Sequence, residues 1–305
     1  MDPKLNAFYD RAVTSYDKLM EKSIFTLHTS IIRGWLGKPL QQLSVLDAGS
    51  GTGKVSLMLL EAGVNSMSLL EPAPSMMKIA REKLAQYIAE KKVKNMISDA
   101  LPDIDLADDT FDVVMMNGVI HLVDQHDECS YSNVEDVEQH RSLGNTFECY
   151  PKLLKAFQET YRVLKPGGII IIYAALPHQM RYCRWYAHFL PPRVASDYPR
   201  VLSREQTTSL LEGAGFSDMT SLVDFDAQHI DNQKLNGTNE IEQEKMRAAD
   251  SSFLRLSDEE LQEVIDRVRE AEVSGRLEAI MKQATMNRQQ MGQETIFVAR
   301  KPQVN

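Results

Sequence analysis

Nine residues, Val45-Leu46-Asp47-Ala48-Gly49-Ser50-Gly51-Thr52-Gly53, constrain this chain more than any other stretch. A short apolar run enters a turn with glycine at every second position, and an amphipathic segment, Lys54 to Glu61, follows. That order reads as a buried strand, a tight turn and a helix. Glycines adopt backbone angles closed to other residues and let a ligand approach the main chain. The spacing narrows the ligand. A dinucleotide turn asks for G-x-G-x-x-G, whereas the pattern here is G-x-G-x-G. A triphosphate-binding loop asks for Gly-Lys-Ser/Thr, and here Lys54 is followed by Val55. Glu71 stands at the end of the next apolar run, where a carboxylate accepts hydrogen bonds from both hydroxyls of a ribose.

Strand and helix patterns alternate through the middle of the chain. Apolar runs at Ser44 to Leu46, Met67 to Leu70, up to Ile97, Asp112 to Met116 and Ile169 to Tyr173 read as strands. Lys54 to Glu61, Ser75 to Lys92 and Pro151 to Leu164 read as helices between them. A helix from Ser203, stopped at Gly215, and strands at Met219 to Val223 and Thr295 to Val298 complete the pattern. This alternation predicts an α/β fold with a mostly parallel sheet and helices on both faces. Four segments follow: a helical cover over 1–40, a core over 41–228, a helical insertion over 229–290, and the last strand and tail over 291–305. The insertion contains SDEELQEVIDRVREAEVSGRLEAIMKQA, read as a solvated helix on the sheet's edge that opens with a capping box at Ser257 and Glu260 and serves as a structural cover, or as a lid or dimer contact. The polar stretch Asp124 to Thr146 reads as a long loop, functional or mobile.

Composition excludes several classes. A formal net charge of -9 disfavours nucleic acid as a partner, because binding to phosphate backbones rests on clustered Lys and Arg. Cys129, Cys149 and Cys183 are too few and too scattered for a disulfide framework or a metal knuckle, which suggests reduced thiols in the cytoplasm. No apolar stretch is long enough to span a bilayer. Asp124 and Asp127 only faintly suggest a metal site, and no metal is expected. An oligomer is compatible with everything above.

Taken in order, the motifs resemble those of the class I, Rossmann-like S-adenosylmethionine-dependent methyltransferases, of the kind that act on small molecules. VLDAGSGTG resembles the first motif, LLEPAPSMMKIAREKL the acidic second, and Ser98-Asp99-Ala100 the turn that meets adenine. FDVVMMNGVIHLV and RVLKPGGIIII resemble the fourth- and fifth-strand segments. The resemblance implies a seven-stranded sheet with Glu294 to Arg300 as its last, antiparallel strand. It implies that Asp47, Gly49, Ser50 and Gly51 cradle the methionine part of the cofactor. Glu71 and Pro72 would meet the ribose, Asp99 and Ala100 the adenine, and Asn117 and Gly118 the sulfonium. Met76 and Leu101 either sandwich the adenine or simply pack the core. FYDRAVTSYDKL resembles the family's N-terminal cover, making Tyr9 and Tyr16 candidate contacts or packing residues.

Methyl transfer from a sulfonium mainly requires alignment, exclusion of water and, for some acceptors, removal of a proton. His121 is the candidate base, since its ordinary pKa suits proton removal near neutrality. His126, His140 and Arg141 lie in the polar loop, and Tyr173, His178, Arg181, Tyr182, Trp185 and Tyr186 are candidates to line an acceptor pocket. The expected partner is a small-molecule methyl acceptor. A protein or RNA methyltransferase, a cofactor-binding scaffold without turnover, and a nicotinamide-dependent oxidoreductase remain as alternatives.

Overall fold

Ile169 to Ile172 are four consecutive β-branched residues without exposed surface, a pattern that suits a strand covered on both faces. The computed structural model, which describes residues 26–124, 146–195, 200–225 and 250–303 with Val13 and Ile241, places them at the centre of β5 (Leu164–Ala174). β5 starts earlier than the apolar run suggested, because Gly168 lets the chain pass close to its neighbours. A Cβ there would lie 2.9 Å from the Lys165 carbonyl oxygen and 3.1 Å from that of Asp112.

Ahead of β5 the chain forms α1 (Thr26–Leu36), β1 (Ser44–Ala48), α2 (Lys54–Glu61), β2 (Ser66–Leu70), α3 (Pro74–Lys83), α4 (Ala85–Ala89), β3 (Val93–Ile97), β4 (Phe111–Asn117) and α5 (Pro151–Val163). After it come α6 (Pro177–Cys183), α7 (Arg204–Gly213), β6 (Ser217–Asp224), α8 (Asp258–Val273), α9 (Arg276–Met291) and β7 (Glu294–Arg300). The seven strands form one sheet in the order β3-β2-β1-β4-β5-β7-β6. β7 pairs antiparallel with both β5 and β6, and the other pairings are parallel.

Strand periodicity divides the core into two layers. Val45, Met67, Val113, Met115, Ile169 and Ile171 pack with Ile32 of α1, Leu59 of α2 and Ala80 of α3. Leu46, Val114, Met116, Ile170, Ile172 and Phe297 pack on the other face with Phe157 of α5 and Leu210 of α7. Helices on both faces and a seven-stranded, mostly parallel sheet match the expectation. The sheet's direction of growth reverses between β1 and β4, which opens a crevice at the carboxyl ends of those strands.

Two helical expectations need correction. Ser75 to Lys92 is two helices rather than one, because Leu84 leaves helical geometry at φ -96° and ψ 9° while its side chain is fully buried. The late segment is also two helices, divided at Gly275, whose φ of 72° lies in the left-handed region. The capping box forms as read: Glu260 N donates to Ser257 Oγ at 3.2 Å and Ser257 N donates to Glu260 Oε2 at 2.9 Å. These helices do more than shield an edge, however. Val264, Ile265, Val268 and Leu277 join Trp185, Tyr186, Phe189 and Val194 in a third apolar core. Trp185 and Tyr186 are therefore packing residues, 2% and 1% exposed, and not the lining of an open pocket.

A buried ion pair fastens this third core. Arg184 and the Tyr186 hydroxyl both donate to Asp250 Oδ2, and Ser252 N donates to Asp250 Oδ1 at 2.8 Å. Burial opposes the charge on Asp250, but the Arg184 guanidinium and these hydrogen bonds outweigh it and hold the carboxyl well below the usual range. Removing one partner of such a pair strands the other. Asp250→Asn is expected to lower the unfolding free energy by about 3–5 kcal/mol, measured by urea denaturation at neutral pH.

Candidate functional site at the carboxyl edge of the sheet

The turn after β1 is held by its neighbour: Gly49 N and Ser50 N both donate to the Leu70 carbonyl, at 2.7 and 3.1 Å. Gly49 has a φ of 82°, and a Cβ on it would lie 2.3 Å from Val119 Cγ2. Gly51 also has positive φ, 53°, but a Cβ there would meet nothing within 4 Å. The first glycine closes the turn against the protein; the second leaves its backbone facing open space.

Glu71 ties this turn to the segment after β2. Its Oε2 accepts from Gly51 N and its Oε1 from Ala73 N, both at 2.8 Å. Burial pushes its pKa above the ordinary carboxylate value, opposed by those two hydrogen bonds and reinforced by Asp47. An ionised carboxylate has about four acceptor sites, so lone pairs remain after two backbone bonds. The Ser50 hydroxyl is buried and has no hydrogen-bond partner among the described residues. An orphaned hydroxyl beside an open glycine backbone is what a site for a polar ligand leaves when described without it. Asp47, Gly49, Ser50, Gly51 and Glu71 are thus brought together as the sequence implied, with Pro72 half-buried in the turn that follows.

Other expected residues fall at the same edge. Asp99 is exposed, and its Oδ1 accepts from Ala100 N at 2.8 Å. Gly118 has a φ of 65° and donates to the Tyr173 carbonyl at 2.9 Å. Met76 is 1% exposed and Leu101 packs against the core, which leaves the packing reading in place for both. His121 is half-buried on a 3₁₀ turn, Ile120–Leu122, just beyond β4. Tyr9, Tyr16, His126, Asp127, Cys129, His140 and Arg141 lie outside the described residues. Asp124, weighed above as part of a metal site, instead caps α5, accepting from Lys152 N at 3.2 Å and Leu153 N at 2.7 Å. Among the described residues, no group of three or more His, Cys, Asp or Glu could hold a metal ion.

A file of polar side chains crosses the sheet at this edge, joining the candidates Asp47, Asn117 and Tyr173 to His28, Asp224 and Glu294, which sequence reasoning missed as site residues. Asp47 accepts from Ser56 Oγ at 2.7 Å, and burial raises its pKa to about 6 against that bond and the nearby Asn117 amide. His28 Nε2 lies 2.9 Å from Asn117 Oδ1, a hydrogen bond in the Nε2–H tautomer. The His28 ring stacks on Tyr173 at 4.9 Å, and the Tyr173 hydroxyl donates to Asp224 Oδ2 at 2.9 Å. Asp224 pairs in register with Glu294, whose pKa burial lifts to about 7, with Asp224 and Asp250 adding to the effect and Arg184 opposing it. Strand alternation was the available signal, since Asn117 and Tyr173 are direct partners. His28 gave none, because it reaches the site from α1.

Two predictions follow from this geometry. Gly51→Ala is expected to cost about 1–2 kcal/mol, the penalty of left-handed alanine. Gly49→Ala should cost more, because its methyl group also meets Val119; urea denaturation compares the two. The second concerns Glu294. Its folded pKa lies above the unfolded value, so the native state holds the proton more firmly. The stability this confers is complete below about 4.5 and is lost as pH rises toward about 7. Glu294→Gln should therefore gain stability relative to the unmodified protein across that window, with the difference levelling off above it, as read from thermal melts at stepped pH.

The comparisons agree with this geometry. Residues 45–137 match the methyltransferase domain family. Over that stretch the chain carries a methyltransferase domain, set in a Rossmann-like sheet. A demethylmenaquinone methyltransferase of Leptospira interrogans is 25% identical over 186 residues, covering 59% of this chain and 64% of that one. A ubiquinone/menaquinone biosynthesis C-methyltransferase of Geotalea daltonii is 26% identical over 178 residues, covering 55% and 62%. The chain therefore spans less than two thirds of the length of these relatives. A solved structure described as a methyltransferase from an antibiotic biosynthesis pathway of Anabaena variabilis superposes with a TM-score of 0.62 at 16% identity, over 88% of this chain and 95% of that one. No helix among the described residues is long and apolar enough to cross a membrane.

Proposed function

We propose that this protein transfers a methyl group from S-adenosylmethionine to a small-molecule acceptor in the crevice between β1 and β4. The observation that carries this reading is the open glycine backbone beside the orphaned Ser50 hydroxyl, within the stretch that matches the family. In this reading Asp47, Gly49, Ser50 and Gly51 hold the methionine part of the cofactor, and Glu71 and Pro72 the ribose. Asp99 and Ala100 meet the adenine, beside Met76, and Asn117 and Gly118 face the reacting methyl. S-adenosylmethionine supplies the methyl on a sulfonium, already joined to a good leaving group. The chain's work is to align the acceptor, keep water out and, through His121, receive a proton. The scattered cysteines suit the cytoplasm.

The quinone relatives favour one acceptor class, a hydroxylated aromatic ring whose hydroxyl feeds electron density to the carbon that attacks. The new carbon–carbon bond forms as the carbon–sulfur bond breaks, and the ring proton leaves afterwards. Calorimetry with S-adenosylhomocysteine is expected to show micromolar binding, weakened about tenfold or more by Glu71→Ala and by Asp99→Ala, the scale of one good hydrogen bond. Methyl transfer to 1,4-naphthalenediol, followed by mass spectrometry, then tests the acceptor class. Binding without transfer to any acceptor would instead favour a cofactor-binding scaffold.

A further inference from the structure

Gln293 immediately precedes β7, at the same edge of the sheet as the glycine turn, because β7 runs antiparallel to β5. Its side chain is 1% exposed, and neither Oε1 nor Nε2 has a hydrogen-bond partner among the described residues. Its surroundings, in contrast, are tightly bonded. Gln179 Nε2 donates to the Met291 carbonyl at 3.2 Å, and Cys183 Sγ to the Gly292 carbonyl at 3.2 Å. Thr295 Oγ1 donates to Gln179 Oε1 at 3.1 Å. Gly292 has a φ of 68°, and a Cβ on it would lie 2.3 Å from Val223 Cγ1. The backbone around Gln293 is thus fixed, while the amide itself is left with two donors and an acceptor unmet. Burying an amide in that state costs stability that a leucine there would not, so an unpaired glutamine at this place points to a ligand.

We propose that Gln293 receives the polar end of the methyl acceptor, an inference that rests on the methyltransferase reading of the site. The ligand group is one that both donates and accepts hydrogen bonds, such as a carboxamide or a hydroxyl beside a carbonyl. Glu294 follows in sequence and Asp224 faces it across the strand pair, so a neutral group is favoured over a carboxylate. Size follows from the sheet. β5 separates β4, which carries Asn117, from β7, and two strand spacings amount to about 10 Å. The acceptor therefore places its nucleophilic atom and its polar end on opposite sides of a body about two fused rings wide.

The test uses the full chain saturated with S-adenosylhomocysteine and three probes: 6-hydroxy-2-naphthamide, the anionic 6-hydroxy-2-naphthoate and the shorter 4-hydroxybenzamide. Calorimetry is expected to show the naphthamide binding best, with at least a tenfold loss in Gln293→Leu and Gln293→Met. S-adenosylhomocysteine affinity should be unchanged in both variants, and their unfolding midpoints equal to or above that of the unmodified protein. Equal naphthamide affinity in variants and unmodified protein overturns the proposal, as does its failure to bind the loaded protein. Lower midpoints in both variants also overturn it, by showing that the amide is paired within the fold. Tighter binding of the naphthoate or the benzamide overturns the neutral, two-ring acceptor. Failure of S-adenosylhomocysteine itself to bind is a separate result, which removes the methyltransferase reading beneath the proposal.

Discussion

The carboxylate of Glu71 holds together two segments that leave the sheet at its reversal, the glycine turn after β1 and the start of α3. Each segment presents backbone N–H groups that helical or strand bonding does not use, and one buried side chain satisfies a group from each. Without it the far side of the turn would lose its tie to the start of α3, leaving only the bonds that Gly49 N and Ser50 N donate to Leu70 in β2. The two carbonyl bonds from Leu70 lock the same turn from the other side. Glycine at position 49 is then required, because the closed turn leaves no room for a side chain.

Around this point the molecule works against its own stability. The sheet is covered on both faces by apolar layers, yet its carboxyl edge buries Asp47, Glu71, Asp224 and Glu294, all acidic. Desolvation raises the pKa of Asp47, Glu71 and Glu294, so ionising any of them at neutral pH opposes folding. A fold under no demand but stability would place leucine or valine there. The acidic edge coincides with the orphaned Ser50 hydroxyl and Gln293 amide, so cost and unmet bonding gather at one end of the sheet, the end where the proposed site lies.

The sequence made much of this legible for a physical reason: parallel strands buried on both faces appear as apolar runs, and the helices between them keep their own period. The glycine turn, Glu71 and Asp99 could be placed because they follow strands directly. What stayed hidden came from distant segments. His28 meets Asn117 across 89 residues, and Asp250 meets Arg184 across 66, and no local pattern announces either contact. The regularly spaced charges of the late helices suggest solvated faces; their apolar stripe has meaning only beside Trp185 and Tyr186, far upstream. A broken helix at Leu84 was likewise invisible, since leucine is a good helix former and only burial explains the break.

The position of β7 has a consequence for how the chain is made. It fills the place between β5 and β6, yet it is synthesised after both and after the two helices of the third core. Until residues 294–300 leave the ribosome, β6 has no strand to join and β5 presents a bare row of amide and carbonyl groups to whatever is near. The nascent chain can assemble β1 to β5 early, but it must then wait with that edge open while more than a hundred further residues emerge. Shielding of that edge by a chaperone, or by provisional contacts of the late helices, is thus a demand that the topology itself places on the cell.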